Sequence, residues 1–353
     1  MRRADASGAA LWRARLFGGP LTGAVTVVLA LALAALLWPL IRWALLDATW
    51  QGTKREDCAA GGACWVFIKA RFGQFIYGFY PVDQRWRPDL WVLTLGFGAA
   101  GFAVLPKRWK RPAGLACVVI LPALGIWLMG GGLGLRPLET RDWGGLTLTL
   151  FIAVYAALIA VPLGILLALG RRSRLPLIRL LCVVTIEFWR GVPIIAVIFL
   201  ASLLLPLVMP AGVGIDRLAR AIIGLGLVIA AYMAEAVRGG LQAVPPGQHE
   251  AAAALGLRYW RTAGMIILPQ ALRIALPAMT NEFIALLKNT TLVLVVSILD
   301  LLGVAQASLA DPNWIGLSLE AYAFSGMIYW LMCWALSVLG RRMERRLGRS
   351  LER

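Results

Sequence analysis

Eight long apolar runs, joined by short polar connections, constrain this chain more than any other feature of its sequence. A helix must supply roughly 20 mostly apolar residues to cross a hydrocarbon core of about 30 Å. The runs cover residues 21–46, 89–106, 113–132, 145–170, 178–207, 221–240, 274–302 and 321–339. With 60% hydrophobic and only 15% charged residues over 353 positions, the composition excludes an ordinary soluble domain. The expected fold is an all-α integral membrane protein of about eight transmembrane helices. The first run follows a basic N-terminus, but it is longer than the apolar region of a signal peptide and lacks a clear cleavage site, so it counts as a span.

The formal net charge of +17 raises the question of nucleic acid. Where the charge sits answers it. Alternate connections hold Arg2, Arg3, Arg13 and Arg15, then Lys107, Arg108, Lys110 and Arg111, then Arg171, Arg172, Arg174 and Arg179, then Arg258, Arg261 and Arg273, and finally six arginines from Arg341 onward. Together these are 21 of the 35 basic residues, whereas the intervening connections carry ten, nearly balanced by acids. By the positive-inside rule both termini of this multi-pass chain are expected in the cytoplasm. The charge is a topology signal, with no nucleic-acid partner implied. Its basic C-terminal tail, 341–353, is placed to touch anionic membrane lipid.

Cysteine and histidine exclude further chemistry. Cys58 and Cys64 share the connection 47–88, which topology places outside, where an oxidising compartment favours a short-loop disulfide over two free thiols. The single histidine, His249, has no partner for a metal site, and one histidine leaves a membrane-embedded hydrolase little to build with.

The segment 244–270 is too polar to span and too apolar for an ordinary loop. Pro245, Pro246 and Gly247 end the sixth run, and Gly256 closes a predicted helix of about ten residues. Glu250 lies near that helix's positive end, and Ala251 to Ala254 give high propensity with little side-chain bulk. So short a helix is marginal in water, and its alanine face offers little to bury within its own chain. It calls for a partner's groove. A second stretch, 257–268, reads as a surface helix that breaks at Pro269.

Glu250-Ala251-Ala252, three residues, Gly256, nine residues, Ile266, one residue, then Leu268-Pro269 is similar to the EAA loop of ATP-binding-cassette importer permeases. The segments "WGGLTLTLFIAVYAALIAVPLGILLALGR" (143–171), "IEFWRGVPII" (186–195), "AAYMAEAVRGGLQAVPPGQHEAA" (230–252) and "FIALLKNTTLV" (283–293) resemble permeases of polar amino-acid uptake systems. The first 140 residues, with three spans, the Cys58–Cys64 connection and "FGQFIYGFYPVDQRWRP" (72–88), resemble the larger permease subunit of general L-amino-acid uptake systems.

That resemblance implies a protein of the bacterial cell inner membrane with a type I importer core of five spans at 143–340, an N-terminal segment 1–20, an extension 21–142, the coupling loop 244–270 and the tail. It also implies three protein partners: a cytoplasmic ATPase dimer docked on Glu250, Ala251, Ala252, Gly256, Ile266, Leu268 and Pro269, a second permease subunit, and a periplasmic amino-acid-binding protein. None of the five lysines sits in a phosphate-binding Gly-x-x-x-x-Gly-Lys-Ser/Thr loop, so this chain is expected to bind no cofactor, and ATP and magnesium belong to the partner.

Charges inside spans are rare and mark function by default. Glu187 with Arg190 and Glu235 with Arg238 are spaced to pair on one helix face, either as structural ion pairs or as part of a translocation path. Asn281, Glu282, Lys288, Asn289, Thr290 and Thr291 form the densest polar cluster in any span and are the other path candidates. Glu282 and Lys288 lie about 9 Å apart along the axis and about 120° apart around it, too far to pair directly. An ion-coupled secondary transporter would use buried carboxylates too, but would have no use for a docking loop.

Overall fold

The computed structural model describes residues 15–104, 107–208, 210 and 214–348, and no extended strand occurs among them. Residues 1–14 and 349–353, including Arg2, Arg3, Arg13 and the end of the basic tail, lie outside the described residues.

The chain forms two compact units, the first made of 1–70 with 311–320. Its helix α1, Pro20–Ile41, continues through a wider π turn to Leu46 and buries no side chain. Beyond it Cys58 and Cys64 are joined by a disulfide, Cα atoms 5.5 Å apart. Asp57 accepts the backbone N–H groups of Thr53 and Lys54 at 2.7 and 3.0 Å. Those bonds hold its carboxyl below the usual carboxylate range. Gly62 packs so closely on the Asp47 carbonyl that any Cβ there would collide with it. Trp65, which opens α2 (Trp65–Tyr77), packs with its ring tilted against Trp43 and Trp50 and donates its indole N–H to the Ala44 carbonyl at 2.8 Å. The connection 47–88 therefore carries a helix of its own.

The second unit holds the remaining helices: α3 (Trp86–Val104), α4 (Lys107–Gly130), α5 (Gly145–Arg171), α6 (Pro176–Gly191), α7 (Ile194–Phe199) and α8 (Arg217–Ala243), then α9 (Gly247–Ala254), α10 (Tyr259–Thr262), α11 (Leu268–Asn289), α12 (Leu301–Ser308) and α13 (Ser318–Gly348). At its centre α8 packs between α5 and α11. Lipid is as apolar as leucine, so helices in a bilayer associate through close packing and polar contacts rather than through apolar burial. Glycines and alanines supply that closeness here. A Cβ on Gly164 would lie 2.8 Å from the Met233 Cβ, one on Gly226 would press on Ile159, and one on Gly240 would strike the Ala271 carbonyl.

Among the described residues each of the eight apolar runs falls on helix, and five helices are unbroken, long and apolar enough to span by length and composition alone. Three expectations need correction. The run 178–207 is not one straight span: α6 and the helix from Ile194 to Val208 meet at a bend of 100°. Pro193 has no N–H and forces Val192 into extended backbone (φ −90°, ψ 132°), which ends α6 at Gly191. The stretch 257–268 does not break at Pro269. Tyr259–Val296 is helical throughout, because a π turn at Ala263–Ile267 shifts the hydrogen-bond register across the residue that cannot donate. That helix ends where Ser297 turns left-handed (φ 56°), short of the 302 read from sequence.

Candidate coupling and translocation site

Helix α8 ends at Ala243, and Val244 turns the chain through Pro245 and Pro246 into α9. Pro246 caps the start of α9, while Gly256 at φ +68° supplies the left-handed turn that ends it. Glu250 sits in the first turn with its side chain exposed. Ala251, Ala253 and Ala254 are exposed as well, but Ala252 is buried at 1% exposure. The alanine face was expected to bury little within its own chain. Instead Ala252 seats α9 on the body, and the neighbouring alanines form the free face.

Ile266 and Pro269 are half-buried, as is Leu268, and Ile267 between them is buried in the same cluster as Val237, Leu241 and Ala271. Gln270 donates to the Gln248 side-chain oxygen at 3.1 Å and so bonds α11 to α9. Beside α9 opens a cleft of about 670 Å³ whose walls include Arg172, Arg174, His249, Ala253 and Trp260. Trp260 and Leu255 stand 75% and 77% exposed, and the Trp260 ring meets that of Tyr259 edge-on at 5.2 Å.

Higher along the same helices, five charged side chains meet. Arg171, the last residue of α5, places Nη1 2.6 Å from Glu235 Oε1 and 3.2 Å from Glu187 Oε1. Arg190 reaches Glu187 at 3.4 Å and Glu235 at 3.8 Å, and Arg238 holds the second Glu235 oxygen at 2.6 Å. Glu187 with Arg190 and Glu235 with Arg238 do pair within their helices, and the two pairs merge into one network across α5, α6 and α8. Arg171 escaped the sequence reading because a basic residue at a helix end fits the topology signal equally well.

On α11 the polar residues separate. Asn281 and Lys288 are exposed, Glu282, Asn289 and Thr291 are half-buried, and Thr290 is fully buried. Thr290 donates to the Leu287 carbonyl at 2.8 Å and Thr291 to that of Lys288 at 2.8 Å, hydroxyls that close the end of the helix. Neither the Glu282 carboxylate nor the Lys288 ammonium makes a hydrogen bond or ion pair among the described residues, although Glu282 feels the charge of Arg190. Beside Thr290 lies a pair that sequence reasoning missed: half-buried Tyr329 donates to buried Asp300 at Oδ2, 2.6 Å away, and Asp300 Oδ1 accepts from Gly303 N–H as the cap of α12. Groups of histidine, cysteine and carboxylate able to hold a metal are absent among the described residues.

Residues 160–349 match the family described as "Binding-protein-dependent transport system inner membrane component". The chain is 48% identical to the inner membrane amino-acid ABC transporter permease protein YhdY of Escherichia coli, over 98% of this chain and 94% of that protein. It is 37% identical to the glutamate/glutamine/aspartate/asparagine transport system permease protein BztC of Rhodobacter capsulatus, over 97% and 94%. Among solved structures, an amino acid ABC transporter crystallised with histidines aligns at TM-score 0.51 and 33% identity, over 57% of this chain and 92% of that one.

Proposed function

The chain belongs to the family of binding-protein-dependent transport system inner membrane components, and we propose that it is the permease subunit of an ATP-driven amino-acid importer. The observation that carries this is α9: a short helix with Glu250, Ala251, Ala253 and Ala254 exposed beside a cleft, fixed to the membrane body by Ala252 and by the Gln248–Gln270 bond. A helix so placed is a docking element for another protein. Its partner is a cytoplasmic ATPase dimer that carries ATP and magnesium, while this chain catalyses nothing. Likeness to full-length amino-acid permeases over both the core and the first 140 residues supports this over ion-coupled transport.

In this reading 143–340 is the transporting core, paired with a second permease subunit in a heterodimer and fed by a periplasmic binding protein. The extension 21–142 adds three spans whose outer faces meet lipid, and both termini are cytoplasmic. Asn281, Glu282, Lys288 and Asn289 face the path, where a zwitterion leaving water needs polar partners. Substrates to test first are glutamate, glutamine, aspartate and asparagine, named for the Rhodobacter relative.

Docking is tested by cross-linking from Ala251→Cys. An exposed cysteine there should capture the ATPase in an ATP-sensitive manner, and one at Leu29 should not. Labelling should reach Ser173→Cys from the cytoplasm only and Thr53→Cys from outside only. Capture at Leu29 but not at Ala251, or reversed labelling at Thr53, would overturn the assignment.

A further inference from the structure

We infer that Arg171 is a positioning residue of the transport cycle, tying the elbow between α6 and α7 to the helix that enters the coupling segment. This rests on the importer function proposed above. Arg171 ends α5 and engages two carboxylates from two other helices through one Nη1, Glu235 of α8 at 2.6 Å and Glu187 of α6 at 3.2 Å. Arg172 beside it donates to the Leu241 carbonyl at 2.8 Å, so the end of α5 grips α8 at two levels. From Glu235 the helix runs only eight residues to Ala243 before the prolines lead into α9. On the other side Glu187 and Arg190 lie within the last five residues of α6, and Arg190 directly precedes Gly191, where the 100° bend begins.

A displacement of α9 therefore reaches Glu235 through a short, proline-stiffened connection. From Glu235 it reaches the elbow through Arg171 and Arg190. A side chain that only packed would not need this arrangement. Glu235 already has Arg238 at 2.6 Å, so its charge would remain partnered without Arg171. What Arg171 adds is the tie from the end of α5 to both other helices, shorter than the 3.8 Å contact by which Arg190 alone would join α6 to Glu235. The same reasoning predicts that its removal leaves the complex assembled.

The test uses the complete complex in liposomes, with ATP inside, the binding protein outside and a radiolabelled mixture of the standard L-amino acids as probe. It reads ATP hydrolysed per amino acid imported. Arg171→Met should assemble at the unmodified yield yet raise that ratio about fivefold, within the range that mutations along coupled networks produce. Arg171→Lys keeps the charge but not the planar fork, so its ratio should fall between the two. Glu187→Gln, at a side chain 53% exposed, removes the ion pair of Arg171 with α6 but leaves the Arg190–Glu235 contact, and should raise the ratio about twofold to threefold. Arg141→Ala, which breaks an exposed pair with Glu139, should leave the ratio unchanged.

An unchanged ratio in both Arg171→Met and Glu187→Gln overturns the inference and leaves the importer function standing. If Arg171→Met fails to assemble, Glu187→Gln decides alone. Import by the unmodified complex without ATP would overturn the function and this inference together.

Discussion

Helix α1 with its π turn and helix α8 are both 27 residues long, and α1 is the more apolar. Yet none of the apolar window of α1 is buried within the chain, against 67% of that of α8. In water the order would be reversed. In a bilayer, apolar character decides only whether a helix spans, because lipid solvates leucine as well as a protein interior does. What buries α8 is its small and polar content: Gly226 and Gly240 at backbone contacts, Ala230 and Ala234 between them, and Glu235 with its guanidinium partners. Helix α1 presents Leu29, Leu33 and Leu36 at 55–66% exposure and has no polar side chain after Thr26 until Arg42.

The comparison breaks most sharply at Gly240. Gly240→Leu should cut the yield of assembled complex more than about tenfold, since overpacking costs roughly 1–3 kcal/mol even where side chains can shift, and here the obstacle is the Ala271 backbone. Ala34→Leu, which places the same side chain on exposed α1, should leave the yield unchanged. Size-exclusion of the detergent-solubilised complex compares the two.

A smaller and more specific loss is expected at the docking helix. Gly256→Asp forces a side chain into φ +68°, a strain of about 1–2 kcal/mol, and adds a carboxylate to the face proposed to dock. Ala251→Arg adds bulk to the same face. Each should lower uptake about tenfold, equivalent to about 1.4 kcal/mol of lost docking, while membrane insertion persists. Equal uptake by both variants would remove α9 from the coupling mechanism.

Next come Lys288→Met and Glu282→Gln. Both should assemble normally, since neither side chain has a partner among the described residues to lose, yet transport per complex should fall about threefold to tenfold. Reduced assembly at unchanged transport per complex would make them structural instead. The smallest effect belongs to α1, where Leu29→Ala should change neither yield nor uptake.

The same contrast explains what the sequence disclosed. The positions of the long helices, the frame of α9 between Pro246 and Gly256, and the pairing of Glu187 with Arg190 all follow from local spacing, which one sequence contains. The bend at Pro193 was signalled by Gly191 and Pro193, but the surrounding hydropathy masked a break of two residues. Continuity past Pro269 was hidden because a π turn has no residue signature. Helix α2 is only 13 residues long and sits among Gly, Pro and charged residues, so neither length nor hydropathy reveals it. Arg171, Asp300 and Tyr329 depend on contacts between residues 16 to 64 positions apart, which periodicity cannot register.

The central claim is that this chain moves its substrate by coupling to a separate ATPase through α9. Its most direct measurement is uptake of labelled amino acids into liposomes holding the complete complex, with ATP inside and ionophores collapsing the proton and sodium gradients. Uptake that requires internal ATP, persists with ionophores and is lost in Gly256→Asp is the predicted result. Uptake that proceeds without ATP and stops when the gradients are collapsed would contradict it.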